Sequence, residues 1–156
     1  MKINKNIKWL LLVALAPLFA ACSWEDLPAY EDANIEGVAF YYRFKSPTDK
    51  DPITGEPIVK NVQLSTSSVD INSDEGTVSL VVRASKNSFP TEIYDAMDAT
   101  QLVGTVTLST AARIAPADNH KALGLPDDWT EPHRFVVTAA NGDKKNWTIT
   151  VTEFRK

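Results

Sequence analysis

Apolar and polar residues alternate along most of the chain after residue 36, the period expected of strands that bury one face against a core. In the first such run Val38, Phe40, Tyr42 and Phe44 share one side, and Ala39, Tyr41 and Arg43 share the other. A loop carrying Pro47, Pro52, Gly55 and Pro57 breaks the pattern. It resumes over 58–65, with Val62 and Leu64 inward, and over 77–84, with Val78, Leu80 and Val82 inward. The run 102–108 repeats it through Val106 and Leu108, and 111–114 reads as a short edge strand. The last run is a hairpin. Phe135, Val137 and Ala139 alternate on one arm and Trp147, Ile149 and Val151 on the other, with Asn141-Gly142 between them where a tight turn needs positive φ. Helical period is confined to Thr91 to Met97, after Pro90, enough for a turn or two. About seven short strands in roughly 120 residues, parted by Gly, Pro, Asn and Asp loops, predict an all-β fold. The expected architecture is an immunoglobulin-like two-sheet antiparallel sandwich, forming a single domain over 37–156.

The start of the chain follows a different pattern. Lys2, Lys5 and Lys8 precede an apolar run from Trp9 to Leu18, and small residues follow at Ala20 and Ala21. The run falls short of the ~20 residues that cross a bilayer, so it reads as a secretory signal rather than a span. Leu18-Phe19-Ala20-Ala21-Cys22 resembles the lipobox cut by lipoprotein signal peptidase, with Phe19 where such signals prefer Leu. That resemblance implies removal of residues 1–21, acylation of Cys22 by palmitate-like chains, and an outer-membrane lipoprotein held to the membrane by its lipid anchor. Cys22 is also the only cysteine of the chain, and in a secreted protein a lone cysteine has no intramolecular partner. Residues 22–36, polar and acidic with Pro28, then form the lipidated N-terminus and a tether. Glu25 and Asp26 resemble the acidic surface-export signal of Bacteroidetes-type lipoproteins, which implies display on the cell surface.

Charge narrows the partners. The full chain carries 16 basic and 20 acidic residues, and removing residues 1–21 takes away three lysines and no acids, moving the net charge from −4 to −7. Nucleic acid is excluded, because binding it needs clustered Lys and Arg to neutralise phosphate. The one basic pair, Lys144-Lys145, lies beside a turn and reads as solvated.

The segment from Phe135 through Asn141-Gly142-Asp143-Lys144-Lys145-Asn146-Trp147 to Val151 resembles the closing hairpin of immunoglobulin-like and cadherin-like sandwich domains in surface lipoproteins of Bacteroidetes. Trp147 stands where that pattern usually has Tyr, which keeps a large core aromatic. Many members of such families have no assigned function and others are accessory to glycan uptake, so the resemblance speaks to fold and compartment more than to role.

Two loops carry candidate chemistry. Asp70, Asn72 and Asp74 place oxygen-bearing side chains at alternate positions, as a calcium loop does. Glycine then comes one place late and Val81 occupies the position of the bidentate acid, so a simple turn between strands is the favoured reading. Asp127, Asp128, Trp129, Glu131 and His133 form the candidate ligand-binding set, with carboxylates for sugar hydroxyls and an indole to stack on a pyranose. Against that, Trp129 is expected to fold back over the sandwich end, since large aromatics are mostly buried. His120 and His133 are the only histidines and look too far apart for a metal-ligand set, so no cofactor is expected. With no phosphate-cradling glycine loop and no serine elbow, catalysis is not expected either. The resulting expectation is a non-catalytic cell-envelope lipoprotein that binds or scaffolds a glycan or an envelope protein, in an accessory role to glycan uptake. The alternative is a structural or adhesion module packing with other envelope proteins. A hydrolase centred on Asp127, Asp128 and Glu131 stands third.

Overall fold

The computed structural model describes residues 29–156, so the signal, Cys22 and the export-like acids lie outside the described residues. Alternation produces nine strands: β1 (Ile35–Lys50), β2 (Pro57–Gln63), β3 (Ser65–Asn72), β4 (Thr77–Arg83), β5 (Leu102–Leu108), β6 (Arg113–Pro116), β7 (Pro126–Asp127), β8 (His133–Thr138) and β9 (Lys144–Arg155). One short helix, α1 (Thr91–Ala96), follows Pro90 where the helical period was confined. The strands form two sheets, ordered β2-β1-β5-β7 and β3-β4-β9-β8-β6. The all-β sandwich expected from the alternation is what the chain forms.

Two details differ from expectation. The run 58–65 is not one strand. It ends at Leu64, which is buried and donates its N–H to the Phe40 carbonyl (2.8 Å), and the chain crosses there into the second sheet as β3. The sandwich is also not wholly antiparallel, because β4 and β9 pair in parallel, with Val78 opposite Ile149 and Leu80 opposite Val151. The hairpin makes β9 antiparallel to β8, and its other edge takes in a strand that already runs its way. A period of two says which face a strand buries and is silent about its neighbour.

Inward positions of both sheets meet in one core containing Phe40, Leu80, Leu102, Phe135, Trp147 and Ile149, each almost fully buried. In the closing hairpin Phe135 lies opposite Trp147, in register with the Asn141-Gly142 turn. The core reaches back beyond residue 37: Ala33 and Ile35 are buried in it. The Trp147 indole N–H donates to the Ala33 carbonyl (2.9 Å). The Ser109 hydroxyl donates to the Asp32 carbonyl (2.6 Å) and accepts from the Asn34 N–H (3.1 Å). The last residues of the expected tether are therefore part of the domain.

These contacts give the sandwich two distinct ends. The chain enters where the Asn141 N–H meets the Tyr30 carbonyl (3.1 Å) and Ile35 pairs with Leu108. From there β1 runs to Tyr42, opposite Leu102, and β8 runs from His133 back toward the entry end at Thr138. His133 and Leu102 thus mark the far end of β8 and β5, past which β1 continues to Lys50 and β9 to Arg155.

Gly76 joins the β3–β4 turn to β9. Its φ is +68°, an added Cβ would lie 2.2 Å from the Asn146 carbonyl oxygen, and its own carbonyl accepts from the Thr148 N–H (2.8 Å). Gly76→Ala is expected to destabilise the domain by about 2 kcal/mol, through positive-φ strain and the clash together. Urea unfolding checks this, with a lowered midpoint and an unchanged m-value as the expected result.

Candidate functional site

The far end is organised by a missing side chain. Gly104 faces the core from β5, and a Cβ there would lie 2.5 Å from Cζ2 of Trp129. The indole fills that space. Its N–H donates to the Leu102 carbonyl (3.1 Å), its backbone N–H to the Ala99 carbonyl (2.9 Å), and its edge meets Phe40 with ring centroids 4.8 Å apart. Trp129 is 2% exposed, so it folds back over the sandwich end and presents no face to solvent.

His133 lies flat on Trp129, with centroids 4.0 Å apart and planes within 8°, and His120 stacks on His133 at 3.8 Å and 19°. The three rings form a column with His133 in the middle. The two histidines, expected from their separation in sequence to be unrelated, are thus in contact. The cause is the loop 117–125, which doubles back over β5 and β8. Arg134 holds its start through a two-pronged pair with Asp118 (2.7 and 2.9 Å), while the Gly124 N–H donates to the Gly104 carbonyl (2.9 Å) and Arg43 donates to the Gly124 carbonyl (3.2 Å). No local motif announces such a closure, which is why spacing alone missed it.

Asp127, on β7, faces both imidazoles, its Oδ2 lying 3.9 Å from Nδ1 of each. Burial pushes its carboxyl up, but the N–H groups of Lys121 and Asp128 outweigh this and hold it below the usual carboxylate range. The Lys121 N–H donates to Oδ2 itself (2.9 Å). His133 is fully buried, and Nε2 lies 2.6 Å from the Asp128 carbonyl oxygen. A carbonyl only accepts, so Nε2 carries the proton. Burial pushes His133 down in pKa, favouring the neutral ring, whose Nδ1 then bears a lone pair. Among the described residues, His133 Nδ1 is the buried side-chain polar atom with no hydrogen-bond partner.

The other candidates serve local structure. Asp128 accepts the N–H (3.0 Å) and hydroxyl (2.7 Å) of Thr130, which lower its pKa. Glu131 is exposed. Asp127 and Asp128 are both held ionised, so neither is the protonated acid that a glycosidase-like pair requires. Asn72 Oδ1 accepts the N–H groups of Asp74 (3.0 Å) and Glu75 (3.1 Å), the pattern of a turn, and Asp70 lies in β3 opposite Ser79. Next along β8 from His133, a surface groove of about 420 Å³ is bounded by Asp118, Arg134, Asn146 and Thr148.

Gly104→Ala is expected to cost about 1–3 kcal/mol by overpacking against the indole. In a Trp129→Phe background the same change should cost less, because Phe has no atom at the Cζ2 position. A double-mutant cycle by urea unfolding reads the coupling directly.

A family model described as DUF5018-related matches residues 35–150, from the first strand to within the last. Among solved structures, a Bacteroides fragilis protein provisionally described as secreted is 40% identical, covers 83% of this chain and 100% of its own, and superposes with a TM-score of 0.72. A Bacteroides thetaiotaomicron protein provisionally described as a glycoside hydrolase is 21% identical, covering 83% of this chain but 27% of its own, with a TM-score of 0.37. No curated protein matches significantly.

Proposed function

We propose that the chain, which belongs to the DUF5018-related family, is a lipid-anchored, non-catalytic module of the cell envelope. It binds or scaffolds a partner with the loop surface at the far end of β5 and β8. The observation that supports this reading is the placement of the two ends. The chain enters beside Ala33 and Trp147, whereas the Asp127–His133 loop lies at the other end of β5 and β8, alongside the middle of β1. Seven residue steps of β1, from Ile35 to Tyr42 at ~3.3 Å each, set this loop about 23 Å from the entry. An anchor at Cys22 then holds the entry end toward the membrane and turns the far end outward. A secreted relative from Bacteroides fragilis fits an envelope or extracellular destination, and among the described residues no helix is long and apolar enough to cross a membrane.

The partner is a glycan or an envelope protein. With Trp129 inside the fold, a glycan would have to be held by the exposed polar groups around Asp128 and Glu131 rather than by indole stacking. Anchoring is checked by expressing the full chain and its Cys22→Ala variant with a palmitate analogue. Labelling and sedimentation with membranes are expected for the parent and loss of both for the variant. A variant that stays labelled and sedimenting refutes the anchor. Protease digestion of intact cells then reports surface display, since a domain facing the periplasm survives it.

A second reading has its own support. The edge strand β2 exposes Ile58 (41%) and Val59 (57%), and Ile53 (92%) stands clear in the loop before it. An apolar edge of this kind favours strand-to-strand assembly with another domain. Light scattering on the soluble chain separates the two: an oligomer that Val59→Lys converts to monomer supports the assembly module, and a concentration-independent monomer supports the anchored binding module.

A further inference from the structure

We propose that His120, Asp127 and His133 form a binding site for a divalent transition metal of zinc type. Their ligand atoms lie within 4.8 Å of one another, drawn from the loop 117–125, β7 and the start of β8. Two imidazoles and a carboxylate are a donor set that suits zinc, and three protein donors leave a fourth position open to water or to a donor from a partner.

Geometry at His133 carries the argument. Its Nε2–H is tied to the Asp128 carbonyl (2.6 Å), so the proton is on the far side of the ring and the buried Nδ1 offers a lone pair. A histidine that binds metal through one nitrogen characteristically donates the other to a backbone carbonyl or a carboxylate. The lone pair faces Asp127 Oδ2 at 3.9 Å, and that oxygen also only accepts. Two acceptors face each other across a gap too long for a hydrogen bond and short enough to share one cation, since donors each about 2.1 Å from an ion sit at most about 4.2 Å apart. The Lys121 N–H on Oδ2 fixes the carboxylate in that direction while leaving it a free lone pair.

His120 completes the set and is the part that moves. Its Nδ1 also lies 3.9 Å from Asp127 Oδ2, and its side chain is 30% exposed. In the stacked arrangement the ligand atoms of the set span up to 4.8 Å, so sharing an ion requires the His120 ring to turn and approach by roughly an ångström, toward the spacing of tetrahedral ligands. Its position on the loop, away from the packed core, permits this. The competing occupant of the gap is a single water donating to both acceptors.

The site is a property of the domain and does not rest on the anchoring proposed above. The test uses the mature chain, residues 22–156, carrying Cys22→Ser to keep it soluble and to remove the thiol as a ligand. After chelator treatment it is titrated with zinc by calorimetry, alongside thermal unfolding with and without zinc. One zinc per chain is expected, with a raised thermal midpoint, because an ion that binds only the folded chain stabilises it. Cobalt in place of zinc should show the visible absorption of a four-coordinate ion. His120→Ala and Asp127→Asn are expected each to weaken binding by more than about a hundredfold, beyond the roughly 10–100-fold that loss of a contact that merely orients a ligand costs. His120→Ala keeps the proposal falsifiable if His133 variants fail to fold, since it removes a half-exposed ring from a loop. Its metal-free thermal midpoint reports whether the domain is intact. No binding at about 1 mM zinc, or affinity retained in both variants, overturns the site and leaves the gap to water.

Discussion

The absence of a Cβ at Gly104 lets the Trp129 indole lie directly against the β5 backbone, and the rest of the far end is built on that contact. With the ring seated there, its N–H reaches the Leu102 carbonyl, its edge reaches Phe40 and its free face receives His133. His133 in turn is held by the Asp128 carbonyl and carries His120 on its other face. A buried histidine between two aromatic rings would ordinarily be a packing element. Here the same packing removes water from one ring nitrogen and leaves it without a donor, so a contact made for stability also produces an unsatisfied, directed lone pair.

The legibility of these features in sequence followed the range over which each is determined. Face assignments were readable because they depend on neighbours two residues away: Phe40, Leu80, Phe135 and Ile149 are buried as the alternation expects. The closing hairpin was readable for the same reason, its register being set by Asn141-Gly142. The parallel pairing of β4 with β9 and the crossing at Leu64 were not, because they depend on which sheet accepts a strand. The burial of Trp129 follows the general preference of large aromatics, but Gly104, the residue that makes room for it, gives no such signal among the apolar residues of β5. The meeting of His120 with His133 required the loop 117–125 to return to β8, a tertiary event set by Arg43, Asp118, Gly124 and Arg134 together.

The two ends of the sandwich are held by different means, and this bears on what each is suited to do. At the entry end the backbone itself is tied down, with Ala33, Asp32 and Tyr30 giving their carbonyls to Trp147, Ser109 and Asn141. At the far end of β5 and β8 the ties run to the loop 117–125, from the Gly104 carbonyl and Arg43 to Gly124 and from Arg134 to Asp118. They hold a polar surface of Asp118, Asp128, Glu131 and Arg134 outside an aromatic column. A tied-down backbone at one end and a supported polar loop at the other follow the usual division between a rigid frame and the loops it carries.

The loop 117–125 is the element on which these threads converge. A connection of this length carries a closure entropy that grows only slowly with added residues, so a few good contacts suffice to order it. Those contacts reach both sheets. Gly124 and Arg43 tie the loop to the first sheet, while Arg134 and the His120–His133 stack tie it to the second. The first three are hydrogen bonds. The stack is different in kind, because it leaves His120 half-exposed and His133 with an unused nitrogen. Whatever settles between Asp127 and the two imidazoles therefore acts on the bridge between sheets. An ion there would rigidify the far end, whereas a water would leave the loop held by its hydrogen bonds alone. The chemistry of that gap and the stiffness of the presented surface are thus one variable rather than two.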